Sequence, residues 1–194
     1  MSPVADAFDR LWPEAGRANL LDDALSVDRA AGRDTDARIG ALAAYAEATG
    51  ADGVLFTCSA FGPAIEAAAR AASVPVLKPN EAMFVEALAF ARVGLLASFQ
   101  PSLLPMANEF AALGSETTLE TRCAPEAMSA LNAGDLARHD ALLAEEAARF
   151  GPVDAIMLAQ FSTARAVPAV AMATGLPILT SPDSAVLALK GRLG

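Results

Sequence analysis

The chain has 194 residues, of which 54% are hydrophobic and only 6% aromatic, so its core must be built mainly from alanine, leucine and valine. A formal charge of −9 with no basic cluster argues against nucleic acid and anionic membranes as partners. Two cysteines and one histidine make neither a disulfide framework nor a zinc site, no apolar run reaches the length of a membrane span, and no signal pattern opens the chain, so a cytoplasmic location is expected.

Ser2 and Pro3 read as a helix cap and first helical position, with an amphipathic helix continuing over Val4–Trp12. Asn19–Asp22 reads as a short strand, followed by a polar turn to Ser26. Thr35–Thr49 has the pattern of a helix, with Ile39, Leu42, Ala43 and Ala46 on one face and Gly50 closing it. The apolar run Gly53–Thr57 reads as a buried strand that delivers Cys58 and Ser59 to its end. A helix opens at Pro63, where the missing N–H costs nothing. Val74–Leu77 is the next strand, and Pro79 to about Ala91 the next helix. Beyond it come a strand at Arg92–Ala97, a helix at Pro101–Leu113 and a strand at Thr117–Thr121. Asp135–Phe150 reads as a helix with Leu136, Leu143, Ala147 and Phe150 inward. A strand leading to Gln160, its helix, the strand Leu176–Leu179 and a last helix from Pro182 finish the chain. Strands alternating with helices of this length imply parallel sheets with right-handed crossovers.

The chain also repeats itself. At an offset of 102, Asp52 falls on Asp154, Val54-Leu55-Phe56 on Ile156-Met157-Leu158, Cys58 on Gln160 and Pro75 on Pro177. The unit is too long for a solenoid repeat, so two pseudo-symmetric lobes are expected, each a parallel sheet flanked by helices. Residues 1–92 would form the N-terminal lobe, joined by the last helix 182–194, and residues 93–181 the C-terminal lobe. Ser2–Gly16 matches Gln100–Gly114 at an offset of 98, and the strand Val93–Ala97 precedes the latter. Its counterpart would fall before Met1, so the N-terminal lobe is expected without its first strand and the loop that follows.

Ligands of open parallel sheets bind outside the carboxyl ends of the strands. Cys58 is the candidate catalytic residue there: a strand-end thiol before a helix, where the positive end of the dipole favours an anion. Ser59 and the backbone N–H groups after it could hold a carboxylate or an enolate oxygen. The competing reading of Cys58 is a small apolar residue buried in a strand. Gln160, Phe161 and Ser162 are the facing candidates for substrate binding. The Gln160 amide donates to an oxygen but abstracts no proton, and its competing role is a hydrogen bond at the lobe interface. Ser98, Gln100 and Ser102 belong to the same sheet edge. Asp23 and Ser26 read as loop caps, Lys78 as a solvated surface lysine, Cys123 as a structural or exposed thiol, and His139 as a surface residue between two charges.

The stretch Asp52-Gly53-Val54-Leu55-Phe56-Thr57-Cys58-Ser59 and its counterpart around Gln160 resemble the aspartate/glutamate/hydantoin racemase superfamily, which includes arylmalonate decarboxylases and maleate isomerases. The resemblance implies two lobes, each with a four-stranded parallel sheet in the order 2-1-3-4, an active site between them, and no cofactor or metal. Racemases of that group use two thiols, one from each lobe. Cys58 matches the N-terminal thiol, whereas Gln160 holds the other position, so a two-thiol racemase is not available. The expected function is a racemase-like, cofactor-independent isomerase acting on a small carboxylic acid through Cys58. It could add to an activated alkene or protonate an enolate left by decarboxylation. The alternatives are a noncatalytic small-carboxylate binding protein of the same fold and an arylmalonate decarboxylase-like lyase. Alanine-rich exposed helices would permit a homodimer.

Overall fold

A computed structural model describes residues 3–58 and 61–194; the expected cap Ser2 and the candidate Ser59 lie outside the described residues. In chain order the first half contains α1 (Pro3–Leu11), α2 (Leu25–Ala30), α3 (Asp36–Ala48), β1 (Val54–Leu55), α4 (Gly62–Ala71), β2 (Val76–Leu77) and α5 (Glu81–Ala87). The second half contains β3 (Arg92–Ala97), α6 (Leu103–Ala111), β4 (Thr118–Cys123), α7 (Pro125–Asn132), α8 (Leu136–Ala147), β5 (Ala155–Leu158), α9 (Val167–Thr174), β6 (Ile178–Thr180) and α10 (Ser181–Leu193). Local chemistry sets several boundaries. Proline sits in the first turn of α4, α7, α9 and α10, where no N–H is needed. Asp135 caps α8 by accepting from the Arg138 N–H at 3.1 Å, and Gly175, at a φ of 67°, ends α9 in the left-handed conformation glycine adopts freely.

The second half builds a four-stranded sheet in the order β4-β3-β5-β6, every pair parallel. Numbered within that half the order is 2-1-3-4, as the resemblance implies. Side chains alternate across the sheet. Val93, Leu95 and Met157 point to a core shared with α5 and α6, through Met83, Phe84, Met106 and Phe110. Leu96, Ile156 and Leu158 point to the opposite core, against Leu143, Ala147 and Val170 of α8 and α9. The two central strands are covered on both faces, which is why they read as continuous apolar runs. Gly94 leaves room for an aromatic ring: a Cβ there would stand 2.9 Å from carbons of Phe150.

Among the described residues the first half holds only the two-stranded parallel sheet of β1 and β2. Its ladder repeats the other half closely. The Val54 N–H donates to Pro75 O at 2.8 Å, and 102 residues on, the Ile156 N–H donates to Pro177 O at 3.0 Å. On its other side β5 has β3, whereas β1 has no partner among the described residues. The burial follows: Ala155–Leu158 are fully buried, while Val54 and Leu55 are half-buried.

The expected strand at Asn19–Asp22 does not form; these residues are irregular, with Leu21 79% exposed. Pairing explains the difference. In the second half β4 hydrogen-bonds only to β3, so the equivalent stretch of the first half would need a strand that the described residues do not supply. Two further helices were not anticipated. In α2, Leu25 faces the core with Ile39 and Ile65, and α7 opens on Pro125. The helix expected to reach Ala91 ends at Ala87, where Phe90 N–H bonds back to the Ala87 carbonyl in a turn before β3. Finally, α10 packs on α1 and α5, with Arg10 and Asp183 paired at 2.6 Å, so the two ends of the chain lie together.

Candidate active site

The carboxyl edge of the second sheet is organised by Gln160. Ser98 follows β3 and is fully buried, and its N–H and hydroxyl both donate to Gln160 Oε1, at 3.0 and 3.3 Å. Gln160 Nε2 donates to Ser102 Oγ at 2.7 Å, and the Ser102 hydroxyl in turn donates to the Phe99 carbonyl at 2.7 Å. A backbone N–H can only donate, so the Ser98 amide fixes which end of the Gln160 side chain is oxygen. The Gln160 main chain is held as well, since the Thr163 N–H and hydroxyl donate to its carbonyl at 3.0 and 2.7 Å. Every polar atom of the glutamine side chain therefore has a partner, and each partner lies in the same half of the chain rather than across a lobe interface. Phe161 and Ser162 are half-buried in the 3₁₀ turn Phe161–Ala166 that follows. Gln100 is exposed and opens the turn Gln100–Ser102.

Cys58 belongs to the edge of the other sheet, three residues beyond β1 and four before α4. Its thiol is free and exposed, not packed within a strand. The hydrogen bonds thus bring Ser98, Ser102 and Gln160 together, while none of the described ones joins Cys58 to them. An exposed thiol can act as a nucleophile or proton donor; an amide locked by three hydrogen bonds can orient a neighbour but cannot carry a proton.

Two other side chains depart from expectation, and a third, Cys123, takes the structural place expected of it. Lys78 is not a solvated surface lysine: its side chain is 17% exposed and pairs with Glu66 of α4 at 2.8 Å and Glu109 of α6 at 3.1 Å. Burial opposes its charge, but the two carboxylates outweigh burial and hold its pKa above the ordinary lysine value. His139 is not on the surface: it is fully buried on the inner face of α8, its Nδ1 2.7 Å from Asp140 Oδ1 and its Nε2 without a partner among the described residues. Burial raises the pKa of Asp140, yet Arg165, with both contacts at 2.9 Å, and His139 bring it below the usual carboxylate value. Cys123, at the end of edge strand β4, is half-buried; burial first, then Glu146 and Glu126, push its thiol pKa up.

One pair at the strand ends escaped sequence reading altogether. The buried Ser181 hydroxyl, just after β6, donates to Oδ1 of the buried Asn80, just after β2, at 2.9 Å. Their positions after equivalent strands of the two halves were the available signal. Two cavities lie elsewhere in the chain. One, of about 320 Å³, separates α5 from α10 and is lined by Val85, Glu86, Ser184 and Leu187. The other, of about 290 Å³, is bordered by Cys123, Glu126, Arg138 and Glu146. Neither is lined by Cys58 or Gln160. Among the described residues no group of three His, Cys, Asp or Glu side chains is arranged to hold a metal ion, and no helix is long and apolar enough to cross a membrane.

No curated protein matches the sequence. Solved structures share the fold at low sequence identity. Allantoin racemase from Klebsiella pneumoniae superposes with a TM-score of 0.66 at 18% identity, over 81% of this chain and 65% of that one. The chain therefore spans just under two thirds of the allantoin racemase. Glutamate racemase from Francisella tularensis, solved with D-glutamate, gives 0.66 at 12% identity over 97% of this chain and 75% of its own. Unliganded arylmalonate decarboxylase gives 0.66 at 19% identity over 98% and 86%. The sequence model of the Asp/Glu/Hydantoin racemase family matches residues 21–151, more than half of the chain. With that match added to the duplicated lobes and the 2-1-3-4 sheet, the chain belongs to the Asp/Glu/hydantoin racemase family.

Proposed function

We propose that the protein is a cofactor-independent enzyme of the isomerase and racemase class, acting on a small carboxylic acid through Cys58. The observation that carries this reading is the contrast between equivalent strand ends: an exposed free thiol after β1 and a fully hydrogen-bonded amide, Gln160, after β5. With only one proton-carrying group in the pair, the two-thiol exchange of a racemase is replaced by one-thiol chemistry. In an isomerisation Cys58 first gives its thiol proton to solvent; the thiolate sulfur then bonds to one alkene carbon of an unsaturated dicarboxylate, and the π electrons move onto the adjacent carbon and its carboxylate. Rotation about the resulting single bond follows, then the S–C bond breaks and the double bond re-forms. The step is balanced with no outside reagent. Ser59, Ser98, Gln100, Gln160, Phe161 and Ser162 bind the substrate in this reading, with Ser98 and Gln160 acting as the rigid floor. A fold neighbour that carries D-glutamate supports a small carboxylate as the ligand.

A second reading, a noncatalytic carboxylate-binding protein, draws support from the same Gln160 network, whose amide is already satisfied without a substrate. A lyase reading, in which Cys58 protonates the enolate left by decarboxylation, is the third. The test is to screen cis-dicarboxylates, amino acids and aryl-substituted malonates for turnover, with binding measured alongside. Cys58→Ala should abolish turnover, by at least a hundredfold, while leaving ligand binding intact. Turnover that survives Cys58→Ala would sink the thiol mechanism, and binding without turnover in the unmodified protein would establish the second reading.

A further inference from the structure

The residues of the candidate site are carried on two bodies with separate cores. Leu25, Ile39, Ile65 and Val76 form a core of α2, α3, α4 and the β1–β2 sheet, and Cys58, three residues beyond β1, belongs to that body. Met83 and Phe84 of α5 pack instead with Val93 and Leu95 of β3 and Met106 and Phe110 of α6, in the body that carries Ser98, Ser102 and Gln160. The boundary between the two cores therefore falls between β2 and α5, at Lys78 and Pro79. At the amino end of β1 the bodies meet through an apolar contact. A Cβ on Gly53 would stand 2.8 Å from Leu189 and 3.2 Å from Leu193 of α10, the helix that packs on α5. At the carboxyl end the link is ionic. Lys78, directly after β2, reaches Glu66 of α4 at 2.8 Å and Glu109 of α6 at 3.1 Å. The Glu66 arm stays inside the first body, and the Glu109 arm crosses to the second. Among the described residues no other ion pair joins the two cores. Helix α4 starts four residues after Cys58, and α6 starts directly after Ser102. The repeat does not dictate this bridge: 102 residues on from Lys78 stands Thr180, which instead caps α10 by accepting from the Asp183 N–H.

We propose that Lys78 is a latch and a positioning residue: through Glu109 it holds the strand edge bearing Cys58 against the edge bearing Ser98, Ser102 and Gln160. With an apolar contact at the amino ends and an ion pair at the carboxyl ends, opening pivots near Gly53 and breaks Lys78–Glu109. The lysine side chain is only 17% exposed, so solvent screens this pair less than a surface one. The consequence for a substrate rests on the proposed reading of Cys58, whereas the consequence for the separation of the two bodies does not.

The experiment measures that separation in the full chain by pulsed electron spin resonance. Cys58→Ser and Cys123→Ser remove the native thiols, and spin labels are attached through Ala67→Cys on α4 and Met172→Cys on α9, both exposed positions. One short separation is expected while Lys78, Glu66 and Glu109 are intact. Glu109→Gln should raise the share of a longer separation roughly threefold or more. Glu66→Gln cuts only the arm inside the first body and should leave the distribution unchanged. A merely structural role would lower stability in both variants and move the separation in neither. Lys78→Met should behave as Glu109→Gln, and salt at about 1 M should carry the intact latch part of the way. With both native cysteines in place and a substrate in hand, Glu109→Gln should raise KM roughly three- to tenfold, and Glu66→Gln should not. The latch is overturned if Glu109→Gln leaves the separation unchanged, or if Glu66→Gln shifts it equally. A shifted separation with an unchanged KM overturns the positioning role. A shifted separation in a protein that turns over no substrate supports the latch and counts against the Cys58 reading.

Discussion

Asn80 and Ser181 stand 101 residues apart in sequence and 2.9 Å apart in space, each buried at the start of the helix that follows the last strand of its half. The bond ties the two repeats together at their carboxyl edges. The Asn80 Nδ2 already lacks a partner, so the residue depends on this contact for its only side-chain hydrogen bond among the described residues. Ser181→Ala should cost about 1–3 kcal/mol, the penalty of an unsatisfied buried amide, read as a lower urea midpoint with an unchanged slope.

The two thiols should differ sharply in alkylation. Cys58 is exposed, whereas Cys123 is half-buried and its pKa is pushed up by burial, Glu146 and Glu126. A raised thiol pKa means less thiolate at neutral pH, so Cys123 should react at least tenfold more slowly with iodoacetamide and accelerate only in alkaline solution. Peptide mass spectrometry across a pH series reads both sites at once. Equal rates at neutral pH would show that Cys123 is not shielded.

Asp140 joins α8 to the turn before α9 through Arg165 while holding the buried His139. Because its folded pKa is depressed, its contribution to stability is fully present above the unfolded value of about 3.9 and is lost as pH falls through the folded value. Asp140→Asn should therefore destabilise the protein by about 1–2 kcal/mol at neutral pH, with the gap from the unmodified protein closing only below about pH 4. Denaturation curves at pH 7, 5 and 3.5 would check the sign.

Gly94→Ala places a methyl group 2.9 Å from the Phe150 ring in the middle of the best-packed strand. The ring must move, and a loss of about 1–3 kcal/mol is expected from overpacking. Adding Phe150→Leu should recover part of that loss, a coupling that a double-mutant cycle measures directly.

Much of this was legible in the sequence for an identifiable reason. Prolines 75 and 177 and the strands before them follow the same register, and the hydrogen bonds from Val54 and Ile156 repeat it atom for atom. What failed was whatever depended on a neighbour. Leu20 and Leu21 look like strand residues, but a strand exists only when its ladder partner is present. His139 was misjudged from its charged neighbours, Arg138 and Asp140, although its spacing of four from Leu143 and eight from Ala147 marks the buried stripe of the helix. Leu136 erred the other way: expected inward as an apolar residue, it is 42% exposed. At the site, the positions of Cys58 and Gln160 at equivalent strand ends were readable, whereas the lock that Ser98 and Ser102 place on Gln160 was not, because a hydrogen-bonding partner 62 residues away leaves no local trace.

The inequality of the two sheets also has a consequence for motion. Four paired strands with two covered faces should open only when the whole molecule unfolds, whereas the two-residue strands β1 and β2, paired only with each other among the described residues, should come apart more easily. The first repeat should then be the less cooperative foldon, and amide exchange next to Cys58 should be faster than next to Gln160, whose side chain is held by Ser98 and Ser102.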